Sequence, residues 1–518
     1  ELTKAQQLDP ATRVKAVREH VITQRESATK PAATTNTGAP APPPVGQKTA
    51  ANQTPVPVAP PLPASQVLPP PPKASQEDMR AFVDWLLRFK QNTITIAEGP
   101  LRQQIKQSAD LPRGNVKIVA LHFHSLVQFP KDEETKKHLA TLSGLADLES
   151  LDIQTVSTGF AVESLRGLTK LKTLHLNGGT LDESGFAHLT GLKALTEVGI
   201  TSMKGFTSTG LGYLGEDIVN LQLTGNPHLT AEGLAYLARF LKLNRLELFQ
   251  CPDLRDEILS PLAALTELES LTVYSTPLDC SFLASLPNNS KLKFLDLGDL
   301  RNAKPEFLVH LASLKNLEAI GLPPLDPPVE VMSALARLGK LQKLSVFHPF
   351  TGETLAGVAG FRSLTDLDLK ESPVTDAGWA AIVQAMPELE RIFLERPAGS
   401  TAPQNAAAMG EQIGRLKKLG FLIFGGPTFT DEWLLAASHA KNLGGLFVYS
   451  PLVTDAGLVH LQDLPLTGLR INGTSITDAS IPTLKKFPKL IGNYIYFPAK
   501  MSPEAIAEVK AHCDNRKK

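Results

Sequence analysis

The stretch Ser363-Leu364-Thr365-Asp366-Leu367-Asp368-Leu369-Lys370-Glu371-Ser372-Pro373-Val374-Thr375-Asp376-Ala377-Gly378-Trp379 decides the fold. Its first part has the form LxxLxL, and the alternation within it has a period of two. That period predicts a short strand with Leu367 and Leu369 on one side and Asp366, Asp368 and Lys370 on the other. Its second part opens with Thr375 followed by Asp376, which reads as a helix N-cap with an acidic residue placed to favour the helix dipole. A strand and a helix within so few residues make a unit too small to bury a core alone.

The unit recurs. The fourth position of LxxLxL falls at Leu121, Leu151, Leu174, Val198, Leu221, Leu246, Leu271 and Leu295. It continues at Ile320, Leu344, Leu367, Ile392, Leu422, Leu446, Leu469 and, in degenerate form, Asn493. Intervals are 23, 24 or 25 residues, apart from two of 30 at 121 to 151 and 392 to 422. The helix-start phrase recurs too, at Thr230-Ala231-Glu232-Gly233, Thr430-Asp431-Glu432, Thr454-Asp455-Ala456-Gly457 and Thr477-Asp478-Ala479-Ser480, with apolar residues such as Leu234, Leu237, Leu458 and Leu461 following at helical spacing. Each buried leucine contributes roughly 1.5 to 3 kcal/mol, but only when the next copy covers it, so the copies are stable as a stack. Strands about 4.8 Å apart are narrower than helices packed about 8 to 10 Å apart, so the stack is expected to curve with the helices outside.

A core of LxxLxL at periods of 20 to 29 residues is the signature of leucine-rich repeats. Joined to the TDAGL-like phrases, it resembles bacterial leucine-rich-repeat proteins related to the cysteine-containing and ribonuclease-inhibitor-like classes. The resemblance covers roughly residues 118 to 497. It implies an α/β solenoid, a right-handed horseshoe of about 16 repeats of 23–25 residues, with parallel strands on the concave face and helices on the convex face. The entry segment, with Trp85, Thr93 to Ile96 and Ala109-Asp110-Leu111-Pro112, also looks like the cap of such proteins. Members often follow a serine/threonine kinase domain or a membrane anchor across a proline-rich linker, and others carry an F-box, of which Gln76 to Asn115 has no pattern. Repeat motifs specify a fold and hardly any ligand, so the resemblance implies interaction without naming a partner.

Composition sets the domain plan. Fourteen of the forty prolines lie between Pro31 and Pro72, and no aromatic residue precedes Phe82. Such a stretch cannot bury a core, so residues 1–75 are expected to be a disordered proline-rich linker, reaching on the order of 100 Å as polyproline II. A PxxP ligand at Pro60, Pro61 and Pro63 is the sharper reading, weakened by the lack of a flanking Arg anchor. Residues 76–115 are read as an N-terminal cap. Ser75 and Asp78 start a helix carrying Met79, Phe82, Val83, Leu86 and Leu87, and a hairpin follows from Thr93-Ile94-Thr95-Ile96 through Glu98-Gly99-Pro100 to Leu101–Ile105. Residues 116–497 form the repeats, and 498–518 a C-terminal cap helix, beginning near Ser502-Pro503-Glu504, and tail. The chain starts at Glu1 and not at Met, so an upstream segment is expected to have been removed or not captured; any targeting signal would lie there, and the resemblance leaves room there for a kinase domain or a membrane anchor.

Charge and motifs exclude several classes. Lys plus Arg and Asp plus Glu are both 52 in 518 residues, which removes the electrostatic case for nucleic acid or an anionic membrane. No apolar run is long enough to span a bilayer. Cys251, Cys280 and Cys513 are odd in number and far apart, so neither a disulfide framework nor a CxxC metal clip is expected, and Cys251 reads as structural. No GxxxxGK[ST], HExxH, GxSxG or paired CxxC occurs, so no catalytic residue, cofactor or metal ligand is assigned. The best chemical constellation is His122 and His124 on the first strand with Asp152 and His175 on the next two. It reads first as a polar, solvated end of the inner face and second as a divalent-ion site. Glu133 and Glu134 read as a solvated face. At the turn after each strand, Asn226, Cys251, Thr276, Ser372, Pro427, Pro451 and Thr474 replace a continuous asparagine ladder.

The outward positions of the inner face carry the functional expectation. They are polar at first: His122, Asp152, Gln154, His175, Asn177 and Gln222. Further on they hold Phe249, Tyr274, Phe294 and Phe347, then Phe393, Phe421, Ile423, Phe447, Tyr449, Tyr494 and Tyr496. Gly445, Gly468 and Gly492 are expected to share one lane beside them and leave a shallow trough. Aromatic anchors beside a trough make an interface centre, since they supply large area at small entropy cost. The competing reading packs the rings on one another or beneath the loop containing Ala398-Gly399-Ser400-Thr401. The function expected is non-catalytic recognition of a protein or peptide by a monomeric, tethered solenoid. The alternative is the sensor region of a larger signalling kinase.

Overall fold

The computed structural model describes residues 72–89, 92–98, 101–123, 133–156, 162–179, 181, 183–288, 291–347, 349–396 and 406–515. Residues 1–71, His124 and the segment 397–405 lie outside that set, and with them the linker, the PxxP motif, part of the histidine constellation and the loop after Glu395.

Eighteen strands make one sheet among the described residues. β1 (Thr93–Glu98) and β2 (Leu101–Ile105) form a hairpin with Ile94 opposite Ile105, and the other edge of β1 pairs antiparallel with β3 (Lys117–Phe123). The first repeat strand therefore has no bare edge. From β3 onward every neighbour is parallel: β4 (Ser150–Val156), β5 (Thr173–Gly179), β6 (Glu197–Thr201), β7 (Asn220–Thr224), β8 (Arg245–Phe249), β9 (Ser270–Tyr274) and β10 (Phe294–Asp296). The series runs on through β11 (Ala319–Gly321), β12 (Lys343–Phe347), β13 (Asp366–Lys370), β14 (Arg391–Glu395), β15 (Phe421–Gly425), β16 (Gly445–Tyr449), β17 (Gly468–Arg470) and β18 (Ile495–Tyr496). Parallel neighbours need a crossover, and here each is the helical half of one repeat. The fold is an α/β leucine-rich-repeat solenoid.

Register follows the leucines. Leu271 pairs with Leu295, Leu344 with Leu367 and Leu446 with Leu469, all fully buried. The last repeat departs from the sequence reading, because Leu469 pairs with Ile495 and not with Asn493. A 3-10 turn over Gly492–Tyr494 takes up two extra residues, which leaves Asn493 exposed and puts an apolar side chain in the core lane. The helical side is also less uniform than expected. Helices span Asp376–Ala385, Asp431–Ala437 and Asp455–Val459, whereas Asp256–Ala264, Ser281–Asn288 and Pro305–Ser313 are 3-10. Pro261 lies inside the first of these and has no N–H for an α-type bond.

The Thr-Asp phrase does two jobs. Thr230, Thr375, Thr454 and Thr477 cap their own helical turns, accepting from Gly233, Gly378, Ala456 and Ala479 N–H. The aspartate reaches forward: Asp431 accepts from the N–H and hydroxyl of Thr454 at 2.8 and 2.6 Å, and Asp455 does the same to Thr477 at 2.9 and 2.7 Å. Asp478 continues the series to Ser502 N at 2.8 Å. Glycine in the phrase is required by this ladder, since a Cβ on Gly457 would stand 2.3 Å from Asp431 Oδ1. At the turn after the strand, buried Asn226 bridges repeats by accepting from Met203 N at 3.1 Å and donating to Ile200 O at 2.8 Å. Cys251 occupies the same place one repeat on, its thiol donating to Leu223 O at 3.4 Å.

Both ends are covered. The helix Gln76–Leu87 is capped by Ser75 and buries Phe82, Val83, Trp85 and Leu86. Ordered packing begins slightly before Ser75, because Ala74 N donates to Gly144 O at 3.0 Å and Ala74 lies against the core. At the other end the helix Pro503–Asn515 buries Ala505, Val509 and Cys513. No helix of the described residues is long and apolar enough to cross a membrane.

Candidate functional site

The parallel register sorts the outward side chains into lanes that cross the strands at right angles. One lane passes through Asp368, Phe393, Ile423, Phe447, Arg470 and Tyr496 on β13 to β18. A second passes through Phe421, Gly445 and Gly468, and a third through Lys370, Glu395, Gly425 and Tyr449. Aromatic residues on different strands thus become neighbours because the repeats stack in phase.

Phe393, Phe421 and Phe447 form a continuous run. Phe393 and Phe421 have ring centroids 6.4 Å apart, and Phe421 meets Phe447 edge-on at 4.7 Å. Cations extend the run at both ends. Lys343 Nζ lies 5.9 Å from the Phe393 centroid, and the Arg470 guanidinium lies 5.0 Å from that of Phe447 and 4.0 Å from that of Tyr496. Arg470 also donates to Tyr449 Oη at 2.9 Å, which ties the third lane to the first. Tyr494 and Tyr496 are 60% and 49% exposed, so the ladder ends on two rings that face solvent. Phe393, Phe421, Ile423, Phe447 and Tyr449 are half-buried.

Three of the expected anchors are elsewhere. Phe249, Tyr274 and Phe347 are buried at 7%, 5% and 8% exposure, which corrects the expectation that they face a partner. Phe249 and Tyr274 stack at 5.1 Å, nearly parallel. Tyr274 and Phe347 then converge on the space a Cβ at Gly298 would occupy, 2.7 and 3.1 Å from it. These rings pack on one another. Phe294 is half-buried in line with Ser270 and Ala319, away from the C-terminal run.

The glycine trough is also corrected. Gly445 and Gly468 do share a lane, but a Cβ on Gly445 would lie 2.3 Å from the Phe421 ring, so that ring already covers the gap. Gly492 is outside the lane because of the two-residue shift before β18. It is buried against the C-terminal helix, where its Cβ would meet Lys510 O and Asp514 at 3.1 Å.

Sequence reading missed the cations. Arg470 stands at an outward LxL position, where in sequence it only interrupts a run of aromatic residues. Several other charges on the face are paired with each other. Arg391 holds Asp366 at 2.5 Å, Lys370 lies 3.4 Å from Asp368, and Arg245 lies 2.8 Å from Glu247.

The histidine end divides into pairs. His122 Nδ1 is 2.9 Å from Asp152 Oδ2, whereas His175 Nε2 is 3.4 Å from Glu197 and its ring leans over Gly199, where a Cβ would lie 2.7 Å from Cδ2. Among the described residues no group of three or more His, Cys, Asp or Glu side chains is placed to hold a metal ion. Cys251, Cys280 and Cys513 are buried, and burial pushes the Cys251 thiol up to about 11 and that of Cys280 further still.

No family profile matches the chain, and no curated protein matches it by sequence. Solved structures similar to it include an internalin, InlF, of Listeria monocytogenes, 15% identical over 80% of this chain and 94% of that one, with a TM-score of 0.35. A leucine-rich-repeat protein of Leptospira interrogans is 18% identical over 71% and 99%, with a TM-score of 0.38. TLR13, in a complex with ssRNA13, is 17% identical over 69% and 57%, with a TM-score of 0.42. Identities and scores this low say nothing of a ligand. The chemistry of the face has to be read from its own side chains.

Proposed function

We propose that this chain is a recognition protein that holds a protein or peptide against the sheet face over β14 to β18, without catalysing a reaction. The observation that carries the reading is the ring–cation ladder from Lys343 to Tyr496, which ends on two tyrosines open to solvent. A core has no use for this arrangement. The leucine lane lies on the opposite side of the sheet, and an exposed tyrosine contributes little to folding. An interface does use it: rigid aromatic side chains give contact area at small entropy cost, and an arginine fixed by stacking is already in place when a ligand arrives. The earlier rings, Phe249, Tyr274 and Phe347, are buried and are left out of the surface.

Panning a random peptide library against the whole chain tests this. The unaltered protein should enrich peptides whose affinity falls roughly 30-fold or more, about 2 kcal/mol, when Tyr494 and Tyr496 are both changed to Ser. The melting temperature should stay the same, because both side chains are exposed. Peptides that bind both proteins equally, with equal melts, would place recognition elsewhere.

A further inference from the structure

We infer that β2, the outermost strand at the N-terminal end of the sheet, pairs with β2 of a second copy of this chain, antiparallel and about a two-fold axis at Gln103. The surface is separate from the ring ladder over β14 to β18. The hairpin that closes β3 leaves an open edge of its own. β1 lies between β2 and β3, and β2 pairs with β1 alone. Among the described residues no backbone group of Leu101–Ile105 makes a hydrogen bond outside the hairpin. Leu101, Arg102, Gln103 and Gln104 are exposed, Leu101 at 73%. The other end of the sheet differs, since β18 is two residues long and the helix Pro503–Asn515 follows it. An open edge is a template for another strand, and folded proteins blunt such edges with lysine, proline or a bulge. β2 has none of these. Its register with β1 is unbroken from Ile94 opposite Ile105 to Glu98 opposite Leu101. Its one charge, Arg102, is turned away from the edge towards Glu149, which it meets at 3.0 Å.

The residues of the strand select its occupant. Leu101-Arg102-Gln103-Gln104-Ile105 reads apolar, polar, polar, polar, apolar in either direction. Turned about Gln103, Leu101 stands opposite Ile105 of the second copy, Arg102 opposite Gln104, and Gln103 opposite itself. Leu101, Gln103 and Ile105 share one side of the strand. That is the core side, because Ile105 is buried, as are Ile94 and Ile96 on β1, opposite Ile105 and Gln103. Leu101 continues this apolar row but has Glu98 across from it on β1, and most of its side chain meets water. In the dimer each Leu101 joins the end of the other copy's apolar row, so the two-fold forms two apolar cross-strand pairs at once. Neighbouring registers fit less well. A shift of two residues either way keeps the core sides together but sets Arg102 against Arg102 or against Lys106, like charges face to face, and separates Leu101 from Ile105. The paired segment is about 17 Å long, which makes a small interface that dissociates on dilution.

Sedimentation velocity of the whole chain, from about 5 to about 500 µM, should show a monomer giving way to a dimer. Gln103→Glu and Gln103→Lys each set like charges opposite one another across the axis, and each alone should weaken the dimer at least about tenfold. Gln103 is exposed, so the melting temperature in dilute solution should not change. An equimolar mixture of the two variants should associate at least as well as the unaltered chain, because Glu then meets Lys. Changing Tyr494 and Tyr496 to Ser should leave the dimer as it is. A chain that stays monomeric throughout, or a dimer indifferent to charge at position 103, overturns the inference. So do variants that weaken the dimer without recovery on mixing, which would place no two-fold at Gln103. A dimer lost with the tyrosines would belong to the ring ladder and would overturn it as well.

Discussion

The guanidinium carbon of Arg470 lies 4.0 Å from the centroid of the Tyr496 ring and 5.0 Å from that of Phe447, while the same side chain donates to Tyr449 Oη. One arginine on β17 therefore contacts three aromatic residues on β16 and β18. Arg470→Lys keeps the charge and loses the flat stacking surface and the fork of donors. It is expected to lower the melting temperature by no more than a few degrees, while Tyr496 becomes quenchable by iodide at a higher rate. Tyrosine fluorescence with and without iodide, compared with the Tyr496→Phe background, measures this.

Leucines and their outward neighbours should respond differently to substitution. Leu367 is fully buried between Leu344 and Ile392, so Leu367→Ala should cost about 2 to 5 kcal/mol through the cavity left between repeats. Asp368 on the same strand faces outward beside Lys370, and Asp368→Asn should cost less than about 1 kcal/mol. Urea denaturation of the two variants checks the strand phase. Equal losses would mean that the two faces had been exchanged.

The strand phase was legible because a period of two has only two settings, and the leucines choose between them. Ring burial was not. Phe249 and Phe447 stand on the same kind of outward position, but Phe249 has Tyr274 stacked on it and the gap at Gly298 beyond, whereas Phe447 meets Phe421 edge-on and has Arg470 on its other side. That difference depends on residues about 25 to 50 positions away in sequence. The shift at Ile495 was hidden likewise, because a periodic count continued to Asn493 when the apolar requirement already pointed two residues further. In sequence the Thr-Asp phrases show only their capping role. Their forward bonds became visible only when one repeat stood on the next.

The aspartate ladder makes a prediction of its own. Asp455→Ala removes the acceptor for both the N–H and the hydroxyl of Thr477, and should cost about 1 to 3 kcal/mol, more than removal of an ordinary surface carboxylate. Asp455→Asn retains one acceptor oxygen and should recover part of the loss. Urea midpoints for the three proteins give the comparison. Amide exchange at Thr477 should rise in the Ala variant before it rises elsewhere.

The cysteines predict a dependence on pH. Burial raises the Cys251 thiol to about 11 from an ordinary value near 9.0, so the folded state holds this proton where the unfolded chain begins to lose it. Its contribution to stability is complete below pH 9 and declines as the pH rises from 9 towards 11. At pH 8 a disulfide reagent such as DTNB should find no fast-reacting thiol at Cys251, Cys280 or Cys513, and all three after denaturation. Cys251→Ser should lessen the alkaline decline and leave the part that Cys280 contributes. Rapid labelling of Cys251 in the native protein would contradict its burial.

Site-specific photo-crosslinking tests the assignment of the binding face most directly. A benzophenone amino acid is placed at Tyr496, at the exposed end of the ring ladder, or at Leu435, 45% exposed on the helix Asp431–Ala437. Each protein is then irradiated with the peptides enriched on the unaltered chain. Crosslinking at 496 at least tenfold above that at 435, and competed by unlabelled peptide, is the result expected. Crosslinking concentrated at 435, or equal and uncompeted at both positions, would contradict recognition by the sheet face.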